Sequence, residues 1–284
     1  MRTMIRTGII IFIFSMLFLF GRSHAMIIAN PEEIEVQGLV SRGEDGAAWL
    51  KYADKLGSNE LLVSPGFMIG NDLRVTAVRH DCVVLYKQRT RAYYALSPKT
   101  KDLPWKDNAQ VIWCTPMPLW KIIRMVALAN RKDYICHFET SAESAPCRHV
   151  PNMDVMLENC VKPHHRFHGR EGIIYVSPVH IRETSWQWFL NQVRTYHSEK
   201  LIRWFPALEK TGTIISNGQD LSRILDTIKW KTGVPIKWQD PEKLPIYCSL
   251  KDRPWHQILE NILLFNGLSL TPTQENLAII KGWK

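Results

Sequence analysis

Residues 211–280 read TGTIISNGQDLSRILDTIKWKTGVPIKWQDPEKLPIYCSLKDRPWHQILENILLFNGLSLTPTQENLAII, and the turn signals and apolar periods in this stretch decide the fold. A β-like run, Thr213-Ile214-Ile215, leads through the turn-like pair Asn217-Gly218 to Asp220, a good helix N-cap. Leu221, Ile224, Leu225 and Ile228 then fall on one helical face, and Gly233 supplies a natural terminator. Val234, Ile236 and Trp238 alternate as a strand does, Asp240-Pro241 turns the chain, and Leu244, Ile246, Cys248 and Leu250 alternate again. Asp252 with Pro254 opens a second helix whose stripe is Trp255, Ile258, Leu259 and Ile262, closed by Gly267. Short strands over 268–270 and 277–280 complete the pattern βαββαββ.

Sliding the chain on itself by 102 positions lays Leu119, Ile122, Ile123 and Val126 on Leu221, Ile224, Leu225 and Ile228. The same ungapped shift lays Met153, Met156, Leu157, Cys160 and Val161 on Trp255, Ile258, Leu259, Ile262 and Leu263. Ile112 meets Ile214 and Tyr134 meets Ile236. Residues 108–178 therefore read as a second, more divergent unit of the same kind, with its closing strand over 173–176 offset by about two more residues. Burying a Leu- or Ile-sized side chain is worth roughly 1.5–3 kcal/mol, and chain ordering offsets most of it. A unit of about 70 residues is thus stable by a narrow margin and gains by packing on neighbours.

The runs SNGQDLSRILDTIKWKTGVPIKW, YCSLKDRPWHQILENILLFNGLSL and NLAII resemble the secretin and TonB short N-terminal domain, a small α/β module found ahead of secretin pores and in signalling TonB-dependent receptors. The resemblance covers 211–281, and through the repeat it extends to 108–178. It implies an assembly part that docks through strand edges and helix faces.

At the N-terminus, Arg2 and Arg6 precede an apolar run over residues 8–20, and Ser23-His24-Ala25 has the small-x-small pattern of a cleavage site. That is a secretory signal peptide, residues 1–25, with cleavage after Ala25 and a periplasmic address. The alternative reading of the same run is an uncleaved inner-membrane anchor; a comfortable span needs about 20 residues. Of 36 Lys and Arg, three lie in the leader, so the mature chain carries 33 basic against 27 acidic residues, a net +6. Such a charge is compatible with acidic partners, anionic lipid or nucleic acid and selects none of them.

Residues 34–98 carry no helical period. Short strands around Val36, Leu50, Val75, Val84 and Tyr94, with turns at Ser64-Pro65-Gly66 and Asp81, make a small β-domain of sandwich or barrel type. Gly38, Pro65-Gly66, Val75 with Val78, Asp81-Cys82-Val83-Val84-Leu85 and Tyr94-Ala95-Leu96 resemble the periplasmic region of the type II secretion C-protein and the pilus-assembly P-protein. Phe67 departs from that pattern, which has an acidic residue after the turn glycine. Residues 99–107 read as a linker, and 179–210 as a helical connector with Trp186, Phe189, Leu190, Val193 and Tyr196 on one stripe and Thr184 as its cap.

Six cysteines in an exported chain allow fifteen full pairings; the strand assignment favours Cys136 with Cys147 across a hairpin, and leaves Cys82, Cys160 and Cys248 on apolar stripes. The one cluster with metal-ligand chemistry is Cys160, His164, His165 and His168. Its spacing matches no common zinc motif, and the repeat turns Cys160 toward a core, so a solvated histidine-rich turn is the plainer reading. Neither a nucleophile elbow nor a Walker loop or dinucleotide fingerprint is present, and no cofactor is implied. Of the eleven tryptophans, Trp113, Trp238 and Trp255 sit at core-facing positions, while Trp49 and Trp283 are left as surface contacts.

The expectation is an α+β protein without enzymatic activity, a periplasmic scaffold or connector for a secretin-based envelope machine: type II secretion, type IV pili or DNA uptake. Its expected partners are a secretin or other secretion and pilus assembly proteins, with a homo-oligomer also compatible. The chain ends at Lys284 without the long amphipathic β-region of a pore, so the reading places it beside a channel or as a detached fragment of one, not as the channel itself. The alternatives are a signalling adaptor for a TonB-dependent system, a nucleic-acid-binding competence component and, last, a zinc enzyme.

Overall fold

The computed structural model describes residues 30–42, 45–54, 57–99, 111–137, 143–144, 165–178, 199–238 and 243–281. The protein is a mixed α+β, strand-rich chain. Its first strands are β1 (Ile34–Arg42), β2 (Asp45–Asp54), β3 (Gly57–Val63), β4 (Met68–Ile69), β5 (Leu73–Val78), β6 (Val83–Lys87) and β7 (Ala92–Leu96). An upstream segment follows: β8 (Val111–Cys114), β9 (Met117–Pro118), α1 (Leu119–Ala129), β10 (Asp133–Cys136), β11 (Glu143–Ser144), β12 (His165–Arg170) and β13 (Ile173–Pro178). After α2 (Glu199–Trp204) comes a downstream segment: β14 (Thr211–Asp220), α3 (Leu221–Thr232), β15 (Ile236–Trp238), β16 (Pro245–Pro254), α4 (Trp255–Phe265), β17 (Leu268–Pro272) and β18 (Leu277–Lys281). The signal peptide, most of the linker, the helix expected over 153–161 and the connector stripe over 186–196 lie outside the described residues.

The first seven strands, joined by β8, build two sheets, ordered β3-β2-β1-β8 and β4-β5-β6-β7, which share a core of Leu39, Leu50, Val63, Val75 and Leu85. Strand alternation explains the register: Ala48, Leu50 and Tyr52 of β2 face this core, while Ala47 and Trp49 point to the other side, against α1. β3 and β4 were not legible in the sequence, and neither was the place of β8, which pairs with β1 (Leu39 opposite Trp113). The sheet therefore runs across the boundary expected between residues 98 and 108. Gly38 makes this possible, since a Cβ there would lie 2.9 Å from Met125 Cε of α1 and 3.1 Å from Cys114 Cβ of β8.

A five-stranded sheet, β12-β13-β10-β16-β14, joins the upstream and downstream segments. β10 and β13 are buried along their whole length. Tyr134, Cys136, Ile174 and Val176 face α1, and Ile135, Ile173 and Tyr175 face the core built on α3 and α4. A strand buried on both faces needs apolar residues at every position, which is what YIC and IIYV supply. Strands β15, β17 and β18 form a separate sheet, ordered β15-β18-β17.

α1 and α3 begin 102 residues apart, at Leu119 and Leu221. They differ at their ends. Asp220 caps α3 by accepting from the Ser222 N–H at 3.1 Å, and Gly233 terminates it with φ 72. α1 starts after Pro118 without a side-chain cap, and Arg131 takes the left-handed conformation (φ 53) at the position that Gly233 holds downstream.

Strand registers repeat as well. Glu143 lies opposite Pro118 as Pro245 lies opposite Asp220, both members shifted by 102. β10 runs parallel to β13 with Tyr134 opposite Ile174, and β15 runs parallel to β18 with Ile236 opposite Leu277. The closing antiparallel hairpins pair His165 with Pro178 and Leu268 with Lys281, a shift of 103. The offset of the closing strand is thus one residue, not the two expected.

Two local readings are corrected. Asn217-Gly218 is no turn but a bulge inside β14, where the pairing with β16 slips between Asn217 and Gln219 and Gly218 takes φ 94. Asp252 does not cap α4; it sits in β16 with φ 50 and its backbone N–H donates to Thr213 Oγ1 at 3.1 Å.

Candidate interaction site

Among the described residues, the upstream and downstream segments meet at the joint where β16 adds to β10. Asp133 N–H donates to Gly172 C=O and His137 N–H to Val176 C=O, each at 2.9 Å, so these residues turn their backbone groups toward β13. Tyr134 and Cys136, between them, face the other way, opposite Ser249 and Tyr247 of β16. The Asp133 carboxylate fixes the register. It accepts from Arg253 Nε at 2.6 Å and from the Lys251 N–H at 3.2 Å, and Arg253 also donates to Glu171 C=O at 3.0 Å. This ion pair is largely shielded and charge-assisted, so removing one member leaves the other poorly solvated.

An aromatic seam runs beside it and ties three regions together. Trp120 of α1 stacks on Tyr247 of β16 with centroids 5.2 Å apart, and meets Trp49 of β2 edge-on at 5.9 Å. Such pairs add about 0.5–1.5 kcal/mol beyond the area they bury. Lys121 sits over the Trp49 ring at 5.1 Å and pairs with Glu60, which also accepts from Trp49 Nε1 at 2.9 Å. Partial burial would raise the Glu60 carboxyl. The hydrogen bonds from Lys121 and Trp49 and the charges of Lys121 and Lys51 outweigh that and hold it below its usual range. Arg124 donates to Asn217 Oδ1 of β14 at 2.5 Å. Between α1, β10 and the incoming β14 and β16 lies a groove of about 180 Å³, whose lining includes Arg124, Ala127, Leu128, Tyr134, Ile215 and Ser249.

No family model, curated protein or solved structure matches the chain. The site is therefore read from its own geometry.

That geometry suits holding strands and does not activate a nucleophile. Burial pushes the Cys82 thiol up to about 11, helped by Asp81, and burial pushes Cys248 up to about 12. Neither forms appreciable thiolate near neutral pH. Burial likewise raises Tyr134 well above its usual value. Among the described residues no three His, Cys, Asp or Glu side chains come together as metal ligands, and no helix is long and apolar enough to cross a membrane.

The residues singled out in the sequence scatter. His165 and His168 both lie on β12, but three apart on a strand places them on opposite faces; Cys160 and His164 lie outside the described residues. Burial, then Arg170, lowers the pKa of His168. Cys136 is buried in β10, and Cys147, its candidate partner, lies outside the described residues, as do Ala25 and Trp283. Trp49 is corrected: it is 5 % exposed and belongs to the seam, not to the surface. The sequence reading passed over Trp120, Tyr247, Glu60 and the Asp133–Arg253 pair. Trp120 carried the one usable signal, a large aromatic residue just off the apolar stripe of its helix.

Proposed function

We propose that this protein is an exported, non-enzymatic connector of a secretin-based envelope machine, acting in the periplasm. On this reading residues 108–178 and 211–281 are two βαββαββ units of the secretin short N-terminal type, and residues 34–98 are the small β-domain in front of them.

The observation that carries the reading is the way neighbours are joined. β8 adds to β1 and β16 adds to β10, so each region completes a sheet begun by another. A chain built by strand addition has the means to add strands of other proteins in the same way. The resemblance of 211–281 to modules that stand ahead of secretin pores supplies the class of machine. The thiols at Cys82 and Cys248, with raised pKa, and the scattered histidines favour binding over catalysis.

The test is affinity purification of the tagged chain from envelopes that contain a secretin and from envelopes that lack every secretin. The reading expects the secretin or its assembly proteins to be recovered from the first and no stable partner from the second. The same partner recovered from both would overturn it.

A further inference from the structure

We infer that the open edge of β15 is a docking site for an extended strand of a separate polypeptide, added antiparallel, with an aromatic residue opposite Trp238. The inference deepens the connector reading and rests on it for the partner's presence in the same compartment. The edge itself is argued from the chain's own internal comparison.

β15 and β10 hold equivalent places. Each is the edge of a three-strand unit made of one parallel neighbour and an antiparallel hairpin, β10-β13-β12 and β15-β18-β17. In the upstream unit the other edge of β10 is occupied by β16. In the downstream unit, among the described residues, no strand pairs with the other edge of β15. Leu277 N–H donates to Pro235 C=O at 2.9 Å, so the parallel ladder uses the backbone of Lys237 and turns that of Ile236 and Trp238 outward.

The side chains tell the same story. Upstream, Tyr247 sits opposite Cys136 and stacks on Trp120. The residues 102 further on are Trp238 and Ser222, and they line a groove of about 140 Å³ with Leu225, Asp226, Lys229 and Ile236. Asp226, Lys229 and Ile236 correspond to Arg124, Ala127 and Tyr134, which line the upstream groove that β14 and β16 flank. Leu128 of that upstream groove corresponds to Trp230, which is 77 % exposed. A helix and strand that upstream receive an aromatic residue and the paired strands β14 and β16 are left downstream, among the described residues, without a strand partner and beside an exposed tryptophan whose ring is faced by Lys231 at 4.4 Å.

The occupant is a strand from another protein: the strand that plays this role internally, β16, is covered on both edges, by β10 and β14, so a second folded copy does not offer it. Ser222 in place of the tryptophan leaves room for a larger aromatic residue than Tyr247, while the rim of Asp226 and Lys229 accepts either charge beside it.

The experiment uses the full chain from Met26 and, as probe, a synthetic peptide of residues 243–251 with Cys248→Ser, read by amide hydrogen exchange and by titration. The expected result is new protection at Ile236 and Trp238, weaker binding by severalfold when Tyr247 of the peptide is Ala, and loss of binding in Ile236→Pro, which removes an outward N–H. Ser222→Trp recreates the upstream stacking partner and is expected to tighten binding roughly two- to tenfold. Protection confined to the edges of β14 or β17, or none at Ile236 and Trp238, overturns the proposal. So does concentration-dependent self-association that Ile236→Pro abolishes, which would make a second copy the occupant. Peptide binding at β15 without recovery of secretin components overturns the machine assignment and leaves the edge standing; recovery of those components without strand binding does the reverse.

Discussion

The upstream and downstream segments place a helix against a parallel strand pair in the same way, yet one is closed and the other open. Upstream, β10 is flanked by β13 and β16, its sheet is covered on both faces, and β14 and β16 run along one side of the groove of about 180 Å³ beside α1. Downstream, β15 has one strand neighbour among the described residues, and its groove of about 140 Å³ beside α3 is lined by α3 and β15 alone. The upstream edge and helix flank are completed by strands of the downstream segment, and among the described residues no strand completes the corresponding edge of β15.

The sharpest way to break this comparison is to cut equivalent core residues. Ile123→Ala is expected to cost about 3–5 kcal/mol and Leu225→Ala about 2–3 kcal/mol, because the cavity at Leu225 opens onto a groove that already exists. Chemical denaturation of both variants checks it; equal losses would mean that α1 and α3 are equally enclosed. Next in size is the joint itself. Asp133→Ala removes the acceptor for Arg253 and Lys251 and should cost about 2–3 kcal/mol. No downstream variant has a matching effect, since the equivalent residue is Pro235.

Sequence legibility divides along the same line. Periods within one element were readable: the stripes of α1, α3 and α4, the cap at Asp220, the stop at Gly233 and the alternation of β16 all follow from local spacing. Pairings between distant elements were not. Nothing in DYIC says that its free edge meets PIYCSL more than 100 residues later. Trp49 read as exposed because strand β2 alone shows one apolar face; its second face is covered by α1, an element from beyond the expected domain boundary. Asn217-Gly218 read as a turn because the pair favours left-handed backbone, and the chain uses that freedom for a bulge, where a Cβ on Gly218 would sit 3.0 Å from the Tyr247 ring. β3 opens with Gly57-Ser58-Asn59, residues that signal a loop, and is a strand because β2 supplies a partner.

Two smaller effects refine the comparison. Arg131→Gly gives α1 the terminator that α3 has, and is expected to stabilise by about 0.5–1 kcal/mol in thermal melts, since a left-handed arginine is strained and its ion pair with Asp45 is exposed. Smallest is Glu60 at the seam. Its folded pKa lies below 4.5, so its contribution is present above the unfolded value and lost as pH falls through the folded one. Melts between pH 3 and pH 7 should converge for wild type and Glu60→Gln at the acid end and differ by roughly a few tenths of a kcal/mol near neutrality.

The most direct test of the closed-versus-open account is amide exchange of the full chain alone, read at four positions. Tyr134 and Cys136, whose N–H groups face β16, should exchange slowly, and Ile236 and Trp238, whose N–H groups face outward, should exchange orders of magnitude faster. Equal protection at the two pairs would contradict the account.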